Sequence, residues 1–221
     1  MNFTMEYYLL KYEELSVLSD TKKCRTSLMR NKDTGEIVVK KEMGKESFSV
    51  YSLLKSIKNK NLIKVLECFR DEDKTIEIEE YVNGKRLDDY FREKKATLEQ
   101  VVDVGIALCE GLAPMHKLNL VHRDIQPKNI IITNEGSLKI IDFDISRKEN
   151  ENATHDTTLL GTVGYAAPEQ YGFAQTTNRS DIYSIGGVLK ELSSFSELDK
   201  IIAKCMEMDP ANRYENVEQL K

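Results

Sequence analysis

Residues 122–144 concentrate the side chains best able to handle charge: His122-Arg123-Asp124-Ile125-Gln126-Pro127-Lys128-Asn129, then Ile141-Asp142-Phe143-Asp144. Carboxylates and side-chain amides are hard oxygen donors, the kind that magnesium prefers. An aspartate within reach of a hydroxyl can also take its proton. A basic counterpart lies far upstream, where the β-branched run Ile37-Val38-Val39 ends in Lys40-Lys41. Taken singly, each of these residues reads as solvated surface charge. Their joint order is what carries information.

The elements that must position them follow from local patterning. Glu36–Lys40 follows the turn residues Asp33-Thr34-Gly35 and reads as the strand after a hairpin. Lys45–Lys58 places Phe48, Tyr51, Leu54 and Ile57 at helical spacing. Strands are expected over Leu62–Phe69 and Thr75–Val82, and Asn83-Gly84 marks a boundary between an N-terminal part (1–82) and a C-terminal part (83–221). Beyond it, Leu98, Val101, Val102, Gly105, Leu108, Cys109, Leu112 and Met115 line the apolar face of a long helix. Short strands are expected around Ile130–Ile132 and Leu138–Ile141, a polar loop over Ser146–Leu159, and helices over Asp181–Glu191 and Glu197–Met208.

Composition narrows the class. At 221 residues, 40% hydrophobic and 31% charged, the chain suits one domain or two small lobes sharing a cleft. A formal net charge of −5 argues against general nucleic-acid binding, which needs an excess of Lys and Arg. Cys24, Cys68, Cys109 and Cys205 are widely spaced, with neither disulfide nor metal-site spacing, and read as reduced, mostly buried thiols. No signal peptide or membrane-spanning run is evident, so a cytoplasmic location and no membrane partner are expected.

The segment 122–129 followed by Asp142-Phe143-Asp144 resembles the eukaryotic-type protein kinases, with their H-R-D…N catalytic loop and D-F-G element. Gly161-Thr162-Val163-Gly164-Tyr165-Ala166-Ala167-Pro168-Glu169 is similar to the end of an activation segment. Arg179–Gly186 resembles the helix anchoring the large lobe, and Asp209-Pro210-Ala211-Asn212-Arg213 resembles the closing D-P-x-x-R element. The resemblance implies an α+β, bilobal protein-kinase-like fold. It would have a small antiparallel β-sheet N-lobe with one main helix and a larger helical C-lobe, shortened at its C-terminal end. It further implies ATP and Mg2+ as cofactors and a protein substrate with a Ser/Thr acceptor, in a compact, bacterial-looking member.

The resemblance also assigns roles. Asp124 would orient or deprotonate the acceptor hydroxyl, and Asn129 and Asp142 would hold the metal. Lys40 would steady the α- and β-phosphates, with Lys41 on the opposite strand face. Backbone groups near Glu80 and Val82 would meet the adenine edge, lined by Leu18, Val38 and Ile131. His122 and Phe143 would pack structurally, and Glu169 with Arg213 would form a buried ion pair. Thr157, Thr158 and Thr162 are candidate phosphorylation sites.

Four departures from the family pattern matter. The phosphate-covering loop falls at Ser19–Cys24 and contains no glycine; Lys22 and Lys23 offer charge instead. Val50 stands where the family's helix glutamate belongs, so Lys40 lacks its usual partner. Gln126 replaces the lysine that supports the γ-phosphate, with Lys128 as a nearby substitute cation. Asp144 replaces a glycine. Glu79, at the gatekeeper position on the same strand face as Glu77, is expected to replace the missing carboxylate as the partner of Lys40, with Glu46 as competitor. The alternative to an active kinase is a pseudokinase-like scaffold with little phosphotransfer. A small-molecule kinase is a third reading.

Overall fold

The computed structural model describes residues 3–144, 146–148, 161–172 and 175–221. The chain divides into two compact units, residues 1–58 with 63–82 and residues 59–62 with 83–221.

The first unit is built on a five-stranded antiparallel sheet in the order β1-β2-β3-β5-β4. Its elements are α1 (Phe3–Leu9), β1 (Tyr12–Asp20), β2 (Cys24–Asn31), β3 (Ile37–Gly44), α2 (Phe48–Leu54), β4 (Val65–Arg70) and β5 (Lys74–Glu80). The turn from β2 to β3 is made by Asn31, whose Oδ1 accepts from the amides of Asp33 and Thr34 at 2.9 and 3.1 Å. Gly35 completes it at φ +74°, a left-handed conformation that a Cβ would strain. One sheet face is apolar: Met29, Val38, Phe69, Ile76 and Ile78 pack with Met5 of α1, and Tyr8 and Leu9 lean on the same cluster. Sequence patterning does not reveal α1, since its seven residues give barely two turns of periodicity. The helix expected over Lys45–Lys58 is shorter, a 3-10 turn over Lys45–Ser47 running into α2. It stops early because the Ser56 hydroxyl takes the Leu53 carbonyl at 2.6 Å, competing with the helical ladder.

The second unit is mainly helical. It comprises β6 (Gly84–Arg86), α3 (Leu87–Tyr90), α4 (Leu98–His116), β7 (Leu120–Val121), β8 (Ile130–Thr133), β9 (Leu138–Ile140) and β10 (Arg147–Lys148). After these come α5 (Asn178–Leu192), α6 (Asp199–Cys205) and α7 (Val217–Leu220). Strands pair as β6-β8-β9 and β7-β10. The long helix α4 begins at a capping box, with the Thr97 hydroxyl on the Gln100 amide and the Gln100 side chain on the Thr97 amide. It buries Val101, Val104, Leu108, Cys109, Leu112 and Met115, the stripe its 3.6-residue period predicts. Val102 is 38% exposed and lies off that stripe.

Gly111 of α4 has a steric task. A Cβ there would meet Ile140 Cδ1 at 2.8 Å and the Asn61 carbonyl at 3.2 Å, so only glycine lets residues 59–62 and β9 lie against the helix. Asn61 fixes that short segment, donating its side-chain amide to the Leu138 carbonyl at 3.0 Å, while its own carbonyl accepts from the Ile140 amide at 2.8 Å. This explains why residues 59–62 belong to the second unit although they precede Asn83.

The lower part of this unit is tied by an ion pair. Arg213 and Glu169 are 4% and 3% exposed and meet through parallel bonds of 2.7 Å (Nη1–Oε1) and 2.9 Å (Nη2–Oε2), as the sequence led one to expect. The guanidinium also donates to the carbonyls of Glu207, Arg179 and Met208, and Ser180 Oγ donates to Glu169. Glu169→Ala would leave a buried, uncompensated guanidinium and should cost about 3–5 kcal/mol. Chemical denaturation should show this as a lower midpoint, whereas a loss below about 1 kcal/mol would mean the pair is not truly desolvated.

Candidate active site

The loop after β7 is held in an unusual backbone shape. Arg123 has φ +73° and Asp142 φ +67°, both in the left-handed region that non-glycine residues rarely enter. Such strain persists only where surrounding contacts impose it. For Arg123 the constraint is Asp181, in the first turn of α5 and fully buried. Its Oδ2 accepts from the His122 amide at 2.9 Å and its Oδ1 from the Arg123 amide at 2.8 Å. His116 Nε2 lies 2.9 Å from Oδ2. Burial pushes the Asp181 carboxyl up, but the His116 hydrogen bond and charge, the nearby His122 and the Arg123 amide together hold it below its usual value. Asp181 is therefore an anion in the fold.

His122 is completely buried, its ring centroid 4.9 Å from that of Phe143. Its Nδ1 accepts from the Asp124 amide at 3.3 Å, which leaves the proton of the neutral ring on Nε2. Burial depresses its pKa, outweighing the carboxylates of Asp181, Asp142 and Asp124, which act to raise it. It is a packed, neutral core histidine, as expected.

With that frame in place, Asp124 presents a half-buried carboxylate that takes three side-chain donors. Thr162 Oγ1 donates to Oδ1 at 2.9 Å, while Gln126 Nε2 and Asn129 Nδ2 reach Oδ2 at 2.8 and 2.7 Å. A carboxylate has about four lone-pair sites, so one remains for an incoming hydroxyl. Gln126 Nε2 also donates to Thr162 Oγ1 at 2.8 Å, making a closed triangle of Asp124, Gln126 and Thr162. Thr162 was a candidate phosphorylation site; a phosphate there would set a dianion against Asp124 and break this triangle. Thr157 and Thr158 lie outside the described residues.

Asn129 Nδ2 is committed to the carbonyl and Oδ2 of Asp124, which leaves the amide oxygen as its acceptor for a ligand. Asp142 is half-buried, with Oδ1 taking the Asp144 amide at 3.3 Å. The two offer only oxygen donors, a fit for a hard divalent cation. Among the described residues no group of three or more His, Cys, Asp and Glu stands ready for a metal, so such an ion would draw its remaining ligands from water and phosphate. Lys128 is exposed, and its backbone carbonyl takes Arg86 Nη1 at 2.5 Å. Ile131 is half-buried in β8, paired with Lys139.

In the first unit the two adjacent lysines of β3 separate. Lys40 shares its sheet face with Val38 and Glu42, and its Nζ lies 2.9 Å from Glu42 Oε1. Lys41 faces the other way, is 6% exposed, and its Nζ lies 3.4 Å from Glu79 Oε1. The expected Lys40–Glu79 pair is thus corrected: Glu79 does hold a lysine, but strand alternation assigns it to Lys41. Register explains the outcome, because Val39 pairs with Glu79 and Lys41 with Glu77, placing all four residues on one face. Val38, expected among the nucleotide-lining residues, is wholly buried in the apolar cluster with Met5 and Met29, and Val39 lies on the face of Lys41. Val50 is buried in α2 and Glu46 is exposed. Glu80 is half-buried, its Oε1 taking the Lys64 amide at 2.8 Å, and Val82 is half-buried.

The hairpin between β1 and β2 closes without glycine. Thr21 Oγ1 accepts from the amides of Lys23 and Cys24 at 3.3 and 3.0 Å, and donates to the Cys24 carbonyl. Those amides are occupied, whereas a glycine-rich loop would turn such groups toward phosphate. Leu18 is 55% exposed on β1. The cysteines are free, and burial pushes Cys68, Cys109 and Cys205 up to about 12, so they are poor nucleophiles.

Residues 12–198 match the family model described as the protein kinase domain. A probable serine/threonine-protein kinase of Clostridium perfringens is 30% identical, covering 75% of this chain and 29% of that protein. Another from Clostridium acetobutylicum is 28% identical, covering 74% and 30% respectively. A wall-associated receptor kinase-like protein of Arabidopsis thaliana is 36% identical over 70% of this chain and 22% of its own length. The chain thus spans under a third of the length of these relatives.

A pH effect follows from His122. Its folded pKa lies below its ordinary value of 6.5, so below that pH the unfolded chain binds the extra proton first. Stability should fall as pH drops from about 6.5 toward the folded pKa, by at most about 1.4 kcal/mol per pH unit. Denaturation midpoints of the chain and of His122→Phe across pH 5–7.5 check this. The variant should lack that part of the slope, and identical slopes would contradict it.

Proposed function

The chain belongs to the protein kinase family, and from that premise we propose that it is an ATP- and Mg2+-dependent kinase transferring the γ-phosphate to Ser or Thr hydroxyls of a protein. The observation that carries this reading is the Asp124 carboxylate, fixed by Thr162, Gln126 and Asn129 with one lone-pair site to spare. A scaffold has no chemical need for so constrained a carboxylate. Phosphoryl transfer does, because its loose transition state leaves the protein mainly the tasks of positioning and charge balance.

In this reading Asp124 orients the acceptor hydroxyl and takes its proton as the oxygen attacks the γ-phosphorus. The bond from that phosphorus to the bridging oxygen breaks, and ADP leaves. Magnesium, when bound, neutralises phosphate charge; Asn129 and Asp142 are the side chains that would hold it. Gln126 donates a neutral hydrogen bond where a cation would do more for the developing charge, so modest turnover is expected. Glu80 and Val82 would present backbone groups to the adenine. A cytoplasmic setting, where ATP and magnesium are supplied, suits this chemistry. No helix among the described residues is long and apolar enough to cross a membrane.

A second reading has specific support. The Thr21 hydroxyl occupies the amides of Lys23 and Cys24, which removes them from phosphate binding and favours a weakly nucleotide-binding scaffold. The two readings separate in one assay. Purified chain with γ-labelled ATP, magnesium and a general Ser/Thr protein substrate should transfer phosphate, and Asp124→Asn should lower the rate at least 100-fold. Equal incorporation by both, or none by either, would favour the scaffold. Gln126→Lys should raise kcat several-fold if the missing cation limits the rate.

A further inference from the structure

The two faces of the first unit's sheet use their lysines differently. On the apolar face, Lys40 is part of a shared network: Glu42 accepts from Lys40 at 2.9 Å, from Lys74 at 3.5 Å, and lies 3.6 Å from Arg25. Three cations around one carboxylate leave Lys40 interchangeable with its neighbours. Burial works to raise the Glu42 carboxyl, yet Lys40 and then Lys74 hold it below its usual value. The network sits beside the cluster of Met5, Met29, Val38, Ile76 and Ile78, which covers that face.

The opposite face buries a lysine with its carboxylate. Lys41 and Glu79 are 6% and 5% exposed with 3.4 Å between Nζ and Oε1, and Glu77, wholly buried, stands directly across the ladder from Lys41. Cys68 registers with Glu77, and its thiol is pushed up by burial and then by the Glu77 carboxylate, which places that charge on the same face. The side chain of α2 at the position where a carboxylate would be expected is Val50. Carrying one ammonium and two carboxylates into a sheet interior is costly unless the charges answer one another or a ligand.

We propose that Lys41, oriented by Glu79, is the phosphate-holding lysine, so that the sheet itself supplies the carboxylate that α2 lacks. Glu79 acts as a positioning residue through Lys41. A strand-borne carboxylate has a mechanical consequence. Lys41 and Glu79 are on hydrogen-bonded neighbouring strands, so their pairing needs no movement of a helix to form. The site would then be set on the first unit by strand register alone, without a swing of α2 to switch it on. This inference rests on the nucleotide-dependent reading above.

The test uses the unaltered chain first. An acyl phosphate of ATP transfers its acyl group to the nearest lysine amine, releasing ATP, and the labelled residue is mapped by mass spectrometry. Lys41 should be labelled, and excess ATP should suppress the label at least tenfold. ATP-protected labelling of Lys40, or of neither lysine, overturns the proposal. Steady-state kinetics then address Glu79. Lys41→Met should lower kcat/KM for ATP at least 100-fold and Lys40→Met less than threefold. Glu79→Gln should lower it at least tenfold with a melting temperature within a few degrees of the parent, and Glu79→Asp should recover part of the loss. Should the Gln variant fail to fold, Glu79→Asp alone should still show a several-fold loss. Full activity in either Glu79 variant overturns its positioning role. Label on Lys41 without any phosphate transfer would instead sink the catalytic reading and leave the lysine assignment standing.

Discussion

A buried carboxylate in the first turn of α5 carries much of the second unit. Asp181 takes the amides of His122 and Arg123 and the imidazole of His116, and so holds Arg123 at a φ of +73° that the residue would not adopt by itself. Several contacts compensate the cost of removing this anion from water, and its place at a helix N-terminus adds the favourable end of the α5 dipole. The direction in which Asp124 leaves the chain depends on that backbone turn. So do the bonds that Gln126, Asn129 and Thr162 make to its carboxylate. His122 contributes from below by packing on Phe143, which precedes Asp144 and follows Asp142. The loop of residues 122–129 is thus a polar assembly preorganised around an ion buried from solvent.

The first unit relies on a different device, the twofold alternation of a strand. Adjacent residues of β3 face opposite environments, so Lys40 and Lys41 differ far more than their shared chemistry suggests. One shares the Glu42 carboxylate with Lys74 and Arg25, the other forms a buried pair with Glu79. A one-residue error in reading such a strand moves every assignment to the wrong face. Lys40 and Val38 were both singled out from sequence, yet they lie on the face of the α1 cluster, while Lys41 and Val39 lie on the face of Glu79.

Much of this was legible before any coordinates. The α4 stripe from Val101 to Met115 follows from periodicity, whereas the buried Glu169–Arg213 pair and the packing of His122 on Phe143 were implied by the family resemblance. Glu79 as a lysine partner was also readable, because Glu77 and Glu79 alternate with Ile76 and Ile78 in a strand whose polar face needs a counter-charge. What sequence concealed depended on contacts between distant segments in one case and on single local side-chain hydrogen bonds in the others. α1 is too short for periodicity and gains its stability from a cluster made by β2 to β5. The early end of α2 comes from one serine hydroxyl. The role of Thr21 in closing a hairpin without glycine was invisible in composition, although a threonine three residues before the next strand begins is a signal for a side-chain-closed turn.

Native-state amide hydrogen exchange at His122 and Arg123 tests most directly whether Asp181 holds the loop that carries Asp124. The account predicts that both amides exchange among the slowest of the second unit, and that Asp181→Asn accelerates them selectively. Rapid exchange of these two amides in the unaltered chain, at rates typical of exposed loops, would contradict it.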